Sequence, residues 1–336
     1  MRDDLVAFLS AQGLGASTCY LGFSGGCDSL SLLHVLREVL APGSLSAVHV
    51  HHGLSPQADA WADFCRQTCA QWDIPLQIVR VQVRACGEGL EAAARTARYA
   101  ALAAHLPPGA PLFLAQHRDD QAETVLFNLL RGSGVQGLAA MRACRGRQGL
   151  LLLRPWLGVS RQTIEAYARE QGLRWIEDES NIDQRFSRNF LRHRALPVLR
   201  ERFLGADSAL AQAAQHCAEA ADLLGDLAAL DWQQAVVADV AADVAVDVAT
   251  LCLSKLRGLS AARLKNLLRW WLRALTWQVP AARRLEEFCR QIQQAGPDKH
   301  PRLSLAEGCL YVQGGALRSL TCATQRGVKR QTMRDL

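Results

Sequence analysis

Ser24-Gly25-Gly26-Cys27-Asp28-Ser29 lies between the apolar run Cys19 to Phe23 and a stretch of helical period from Leu30 to Leu40. A strand, a glycine turn and a helix start, in that order, are how a backbone builds a phosphate cradle. Gly25 and Gly26 permit positive φ and the close approach of a ligand, and helix N-terminal amides carry partial positive charge. Ser24, Asp28 and Ser29 are candidate caps of that helix, and a bare capping turn is the plainer alternative. Two other phosphate loops are excluded by residue type. A Walker A loop ends in Gly-Lys-[Ser/Thr], and the first lysine of this chain is Lys255. A Gly-x-Gly-x-x-Gly dinucleotide turn does not fit the positions of Gly22, Gly25 and Gly26.

The elements that must hold this loop follow from the apolar runs Cys19 to Phe23, Leu45 to Val50, Leu76 to Val81, Pro111 to Ala115 and Leu150 to Leu153, which alternate with stretches of helical period. That alternation predicts an α/β domain with a doubly wound parallel sheet, in which ligands sit at the carboxyl ends of the strands. The polar strings fall there: Ser24 to Ser29, His49-Val50-His51-His52-Gly53, and Gln116-His117-Arg118-Asp119-Asp120. Further on, Ser160 to Glu170 reads as a helix and Ala206 to Leu230 as a long connecting one. The expected division is 1–205 for a catalytic domain, 206–231 for the connecting helix, 232–322 for a smaller, mainly helical domain and 323–336 for a basic tail. In the smaller domain, Arg263, Lys265, Arg269 and Arg273 accompany Leu264, Leu267, Leu268, Trp271 and Leu272 at helical spacing. The basic side is either a solvated face or a surface for RNA.

The chain has 336 residues, 49% of them hydrophobic, and its net charge of +6 is carried almost wholly by arginine, the side chain that forks onto phosphates. Nucleic acid is therefore a candidate partner. No apolar segment approaches the roughly 20 residues of a membrane span, so no membrane partner is expected and a cytoplasmic location is. Eleven cysteines without a Cys-x-x-Cys pair suggest neither a disulfide framework nor a zinc knuckle.

The Ser-Gly-Gly-x-Asp-Ser string resembles the PP-loop of the ATP pyrophosphatases, which cleave ATP between its α and β phosphates. Four further strings, taken in order with it, resemble the tRNA(Ile)-lysidine synthase family: His49 to Ser55; Glu91-Ala92-Ala93-Ala94-Arg95-Thr96-Ala97-Arg98-Tyr99; His117 to Thr124 with Arg131-Gly132-Ser133-Gly134; and Glu177 to Asn181 with Arg188-Asn189-Phe190-Leu191-Arg192. The resemblance is strong over roughly the first 195 residues and looser over the second domain, where it suggests a substrate-binding module. Many long members carry a third, C-terminal domain, and the resemblance here stops after the second.

What the resemblance implies is a ligase that joins free L-lysine to C2 of the wobble cytidine in the CAU anticodon of tRNA(Ile). ATP adenylates the C2 oxygen with loss of pyrophosphate; the lysine ε-amine then displaces AMP, giving lysidine. ATP and Mg²⁺ are the implied cofactors, with Ser24, Gly25, Gly26, Cys27, Asp28, Ser29, His49 and His51 around the nucleotide. Asp28 is a Mg²⁺ ligand or a helix cap. His49, His51 and His52 line the nucleotide pocket rather than bind zinc, since neither carboxylate nor thiol stands beside them. Arg95 and Arg98, three apart on a helix, form surface ion pairs or contact phosphate or tRNA, with Arg98 placed on the catalytic side. His117 and Asp120 open a helix, and Asp120 is its cap or the base for the lysine amine. Asp178, Asn181, Arg188 and Arg192 hold structure, or else touch tRNA or the site, and Arg263, Lys265 and Arg269 are tRNA contacts of the second domain. A homodimer is compatible with the sequence. The rivals are a PP-loop sulfur transferase, against which Cys65-x-x-x-Cys69 offers no second cysteine pair, and a nucleotide-binding regulator without turnover, which has no need of the His117 to Thr124 string.

Overall fold

A computed structural model describes residues 1–14, 18–83, 90–177, 187–237, 250–294, 296 and 299–321. Asp178, Asn181 and the 323–336 tail lie outside them. In chain order the elements are α1 (Arg2–Ala11), β1 (Cys19–Gly22), α2 (Cys27–Val39), β2 (Leu45–His51), α3 (Ala58–Gln71), β3 (Leu76–Arg80), α4 (Leu90–His105), β4 (Pro111–Phe113), α5 (Arg118–Leu130), α6 (Val135–Leu138), β5 (Cys144–Arg147), β6 (Leu150–Leu153), α7 (Arg161–Glu170) and α8 (Ser187–Phe190). A π-helical turn, Leu191–Ala195, leads into α9 (Leu196–Arg202) and α10 (Ala206–Ala235). Then come β7 (Thr250–Cys252), α11 (Leu253–Gly258), α12 (Ala261–Ala274), α13 (Ala282–Gln294), β8 (Arg302–Ser304), β9 (Gly308–Gln313) and β10 (Ala316–Thr321).

The chain divides into two compact units, Met1–Ala218 and Glu219–Leu336, and the division falls inside α10. The first unit holds a six-stranded sheet in the order β3-β2-β1-β4-β6-β5. All five apolar runs read from the sequence are strands and pair in parallel. The sixth strand, β5, pairs antiparallel with β6 at the edge; its Cys-Arg-Gly-Arg composition carries no apolar signal. Alternation along the strands feeds two cores. Leu21, Ala47, Phe113 and Leu153 face α1, α2, α3 and α7 on one side, while Val48, Leu112, Leu150 and Leu152 meet Tyr99 and Leu102 of α4, and Leu106 just after it, on the other.

The chain winds outward from β1 through α2 to β2 and through α3 to β3, then returns by α4 to β4. The winding direction therefore reverses between β1 and β4. In open parallel sheets this reversal opens a crevice at the carboxyl ends of the two strands. Here it places the Ser24 to Ser29 loop beside His117.

The second unit packs α11, α12 and α13 against a four-stranded antiparallel sheet, β7-β10-β9-β8. Leu264, Leu267, Leu268, Trp271 and Leu272 are all fully buried, as the helical spacing predicts. The unit is mainly helical, as expected; its sheet was not foreseen, because its strands are three to six residues long and too short for a periodic signal.

Candidate active site

Gly25 sits at φ +84°, and a Cβ there would stand 2.7 Å from Ile176 Cδ1 and 3.2 Å from Cys65 Sγ. Its carbonyl accepts a 3.0 Å hydrogen bond from the Ile176 amide, so the turn is clamped from a distant segment. The Ser29 hydroxyl accepts from the Ser24 amide at 3.2 Å, donates to the Gly26 carbonyl at 3.1 Å and lies 3.0 Å from Ser24 Oγ. Gly26 is the N-cap of α2 and no side chain caps that helix, which corrects the capping roles expected for Ser24, Asp28 and Ser29. The two serines stiffen the loop, and the first amides of α2 are left to a ligand. Cys27 is buried, and burial first, then the neighbouring Asp28 charge, pushes its thiol up to about 11.

Asp28, in the first turn of α2, has one carboxylate oxygen, Oδ1, that is buried with no hydrogen-bond partner. Burial raises its pKa above the ordinary carboxylate value, against a downward pull from His117. A buried, unpartnered hard oxygen beside a phosphate cradle is the donor that Mg²⁺ takes, so the residues present fit that ion.

His117, only 2% exposed, is the N-cap of α5. Its Nδ1 accepts from the Asp120 amide at 3.4 Å, and the Asp120 carboxylate in turn accepts from the His117 amide at 3.1 Å. Asp120 is therefore half of a reciprocal cap. With Nδ1 occupied as an acceptor, the proton resides on Nε2, which lies 3.7 Å from Asp28 Oδ2 and 3.4 Å from Asp120 Oδ2. Residues 89 positions apart in sequence, Asp28 and His117, thus meet at the reversal point of the sheet.

Arg192, on the π-helical turn, forks onto Glu123 at 2.6 and 3.0 Å and reaches Asp120 Oδ1 at 3.0 Å. Of the roles expected for Arg192, these bonds match a place in the lining of the site. Glu123 is 2% exposed; burial raises its pKa, and Arg192 opposes that rise. Glu123 is a site residue that motif reading missed, although its spacing of three from Asp120 on one helix puts the two carboxylates on one face. Asp119, also missed, accepts from the Arg161 amide at 2.9 Å and from the Arg200 guanidinium at 3.2 Å, which ties the start of α5 to α7 and α9.

His49 and His51 share the α2/α3 face of β2, both 6% exposed. His49 Nδ1 donates to the Phe23 carbonyl at 2.9 Å, directly beneath the loop, and burial lowers its pKa. His51 Nε2 lies 3.2 Å from Asp59 and His49 Nδ1 3.4 Å from Cys65 Sγ, which corrects the expectation that neither carboxylate nor thiol stands beside these histidines, because α3 brings both from outside the strand. His52 is pushed down to about 4, by burial first and then by the Arg98 charge. Arg95, Arg98 and Arg147 surround the Tyr99 ring, with guanidinium carbons 5.7, 6.0 and 4.2 Å from its centroid. Arg188 stands over Phe127 at 5.7 Å. In the second unit, Arg263 pairs with the buried Asp231, and Lys265 pairs with Glu286 at 2.7 Å. Arg269 lies on the same helix, with Arg273 one turn on.

Residues 3–199 match the profile of the PP-loop domain, and residues 251–318 match that of the TilS substrate binding domain. A protein of Pseudomonas syringae pv. tomato named tRNA(Ile)-lysidine synthase is 46% identical over 305 residues, covering 90% of this chain and 67% of its own length. The chain belongs to the tRNA(Ile)-lysidine synthase family. The lysidine synthase of Pseudomonas putida is 45% identical over 307 residues, 90% of this chain and 71% of its own. Among solved structures, the U34-tRNA thiolase NcsA of Methanococcus maripaludis, with its [4Fe-4S] cluster, superposes at a TM-score of 0.54 and 16% identity. It covers 65% of this chain and 78% of its own, and shows the shared PP-loop fold. The cysteines of the sulfur-transferase rival, Cys65 and Cys69, are buried core residues whose thiols burial pushes up to about 12. Among the described residues no group of three or more histidine, cysteine and acidic side chains is arranged to hold a metal ion, so an ion at Asp28 would draw its other ligands from phosphate and water, and no helix is long and apolar enough to cross a membrane.

Proposed function

We propose that this lysidine synthase family member ligates lysine to C2 of the wobble cytidine of tRNA(Ile) with a CAU anticodon, in two steps. The cytosine C2 oxygen attacks the α-phosphorus of ATP, and the bond to pyrophosphate breaks. The lysine ε-amine then attacks C2, loses a proton, and the C2–O bond breaks as AMP leaves. A carbonyl oxygen is a poor leaving group as hydroxide, and adenylation turns it into a good one.

The observation that carries this reading is the meeting of an uncapped helix N-terminus, a buried unpartnered carboxylate oxygen and the His117–Asp120 cap at one strand-end crevice. The α2 amides hold the departing pyrophosphate where negative charge develops. Asp28 is the residue that would hold Mg²⁺, which when bound neutralises phosphate oxygens in a domain without lysine. His117, with its proton on Nε2, is a donor and not a base. In this reading the proton from the incoming ammonium passes to Asp120, and its bonds to Arg192 and to the His117 amide support that role. Glu123 and Asp120 together give the crevice the negative charge that attracts an ammonium group.

The test is to supply the purified chain with CAU-anticodon tRNA, ATP, Mg²⁺ and labelled lysine. The expected result is label in the tRNA that depends on both ATP and a divalent ion, with AMP as co-product. Asp28→Ala is expected to abolish adenylate formation while its circular dichroism stays that of the parent. Lysine left unincorporated by the folded parent chain overturns the reading.

A further inference from the structure

The arginines of the described residues are of two kinds. Arg161, Arg192, Arg200 and Arg263 each have a carboxylate within ion-pair distance. Around Tyr99 the pattern differs. Arg154 is 3% exposed, yet its guanidinium bonds neutral acceptors: Gln116 Oε1 at 2.7 Å, the Arg142 carbonyl at 2.9 Å and the Tyr99 hydroxyl. Arg147 stacks on the Tyr99 ring with its guanidinium carbon 4.2 Å from the centroid. Burial lowers the pKa of both arginines and the Tyr99 hydroxyl opposes that shift, while Arg95 and Arg145 push with burial; among the described residues no carboxylate is within ion-pair distance of Arg147 or Arg154.

Strand register explains the convergence. Arg145 and Arg147 on β5 stand opposite Leu152 and Leu150 of β6, and Arg154 continues the same alternation, so all three share the α4 face of the sheet that carries Tyr99. The set grades outward from buried Arg154 through half-buried Arg95 and Arg147 to exposed Arg145. Gln116, which holds Arg154, directly precedes His117. Like charges gathered at a partly desolvated site, with no carboxylate among the described residues to pair them and only the Tyr99 hydroxyl to offset them, raise the energy of the chain alone, and an anion relieves that cost.

The geometry points to Arg145, Arg147 and Arg154 around Tyr99 as a binding site for a backbone phosphate of the RNA substrate, next to the active-site crevice. This rests on the function proposed above and adds to it the face of the first unit that receives the RNA. Stacked, forked guanidiniums match a phosphate in both charge and shape.

The test is the salt dependence of binding of a CAU-anticodon tRNA to the full chain and to Arg145→Ala/Arg147→Ala, with Michaelis constants for ATP and lysine measured alongside. The expected result is weaker tRNA binding, a log–log slope lower by about 0.7 for each phosphate no longer neutralised, and unchanged constants for ATP and lysine. An unchanged slope overturns the site. So does a raised lysine constant with unchanged tRNA affinity, which would assign the cluster to the lysine carboxylate. Arg145→Ala alone, at an exposed edge position, keeps the test open if the double variant misfolds. Lysidine formation by the parent chain is scored separately. A parent that modifies tRNA while the variant keeps its slope loses only this site; a parent that binds tRNA with the expected slope change but makes no lysidine loses only the function.

Discussion

Burial raises the pKa of Asp28, and that shift has a sign for stability. A carboxyl whose folded pKa lies above its unfolded value stabilises the fold below the unfolded value, and the contribution is lost as pH rises through the folded one. At neutral pH the ionised, partly desolvated Asp28 is therefore a cost to the chain, which the phosphate site requires. Asp28→Asn is expected to raise the melting temperature at pH 7 to 8 and to abolish tRNA adenylation. The thermal gain should shrink as pH falls through the raised pKa of folded Asp28, where the parent carboxyl becomes protonated as well. A calorimetric pH series decides the matter: an Asn variant that melts lower than the parent at pH 8 means that Asp28 is held by partners the unpartnered Oδ1 does not suggest. At this scale the sequence was legible for residue type and spacing. The loop, His117 and Asp120 were all singled out, but the loss of the capping role by Asp28 was not, because a cap is a matter of backbone angles at Gly26.

Two elements aim the side chains. The loop turns at Gly25, where positive φ and the nearby Ile176 side chain both exclude a Cβ. Gly25→Ala should destabilise the fold by upwards of about 1 kcal/mol and weaken ATP binding, as read by urea denaturation and nucleotide titration. Unchanged affinity would show that the turn tolerates displacement of Ile176. The second element is the π-helical turn Leu191–Ala195, a wide turn of the kind found at functional sites, which directs Arg192 at Glu123 and Asp120. Arg192→Ala leaves Glu123 buried without its counter-ion and should cost about 3 to 5 kcal/mol. Adding Glu123→Gln should recover part of that loss, since the uncompensated charge goes with it. A double variant no more stable than the single one would place the cost in packing. The two elements differ in how far they were legible beforehand. The glycine pair signalled a turn without its clamp, and a π-turn has no sequence period of its own.

Across the molecule, the cations differ in whether the fold neutralises them. In the second unit Arg263 and Lys265 pair with Asp231 and Glu286, whereas Arg273 is depressed by burial and by Arg269, one turn away on α12. Arg269→Ala/Arg273→Ala is expected to lower the salt slope of tRNA binding by about 0.7 per phosphate no longer neutralised. Arg263→Ala, which strips buried Asp231 of its partner, should instead lower the melting temperature and leave the slope unchanged. A slope that responds to Arg263 and ignores the other pair would reverse this division.

The sequence by itself determined the parallel sheet, because each of five apolar runs carries its own local period and each polar string falls where such a strand must end. It also determined the family, through motifs whose residues are contiguous. Only the tertiary structure decided which charges are answered. Arg192 meets Glu123 across 69 positions and Arg154 meets Gln116 across 38, and in sequence both arginines read alike. Pairing depends on the register of β4 against β6 and on the turn before α9. Both are set by long-range packing, and neither leaves a period in the chain.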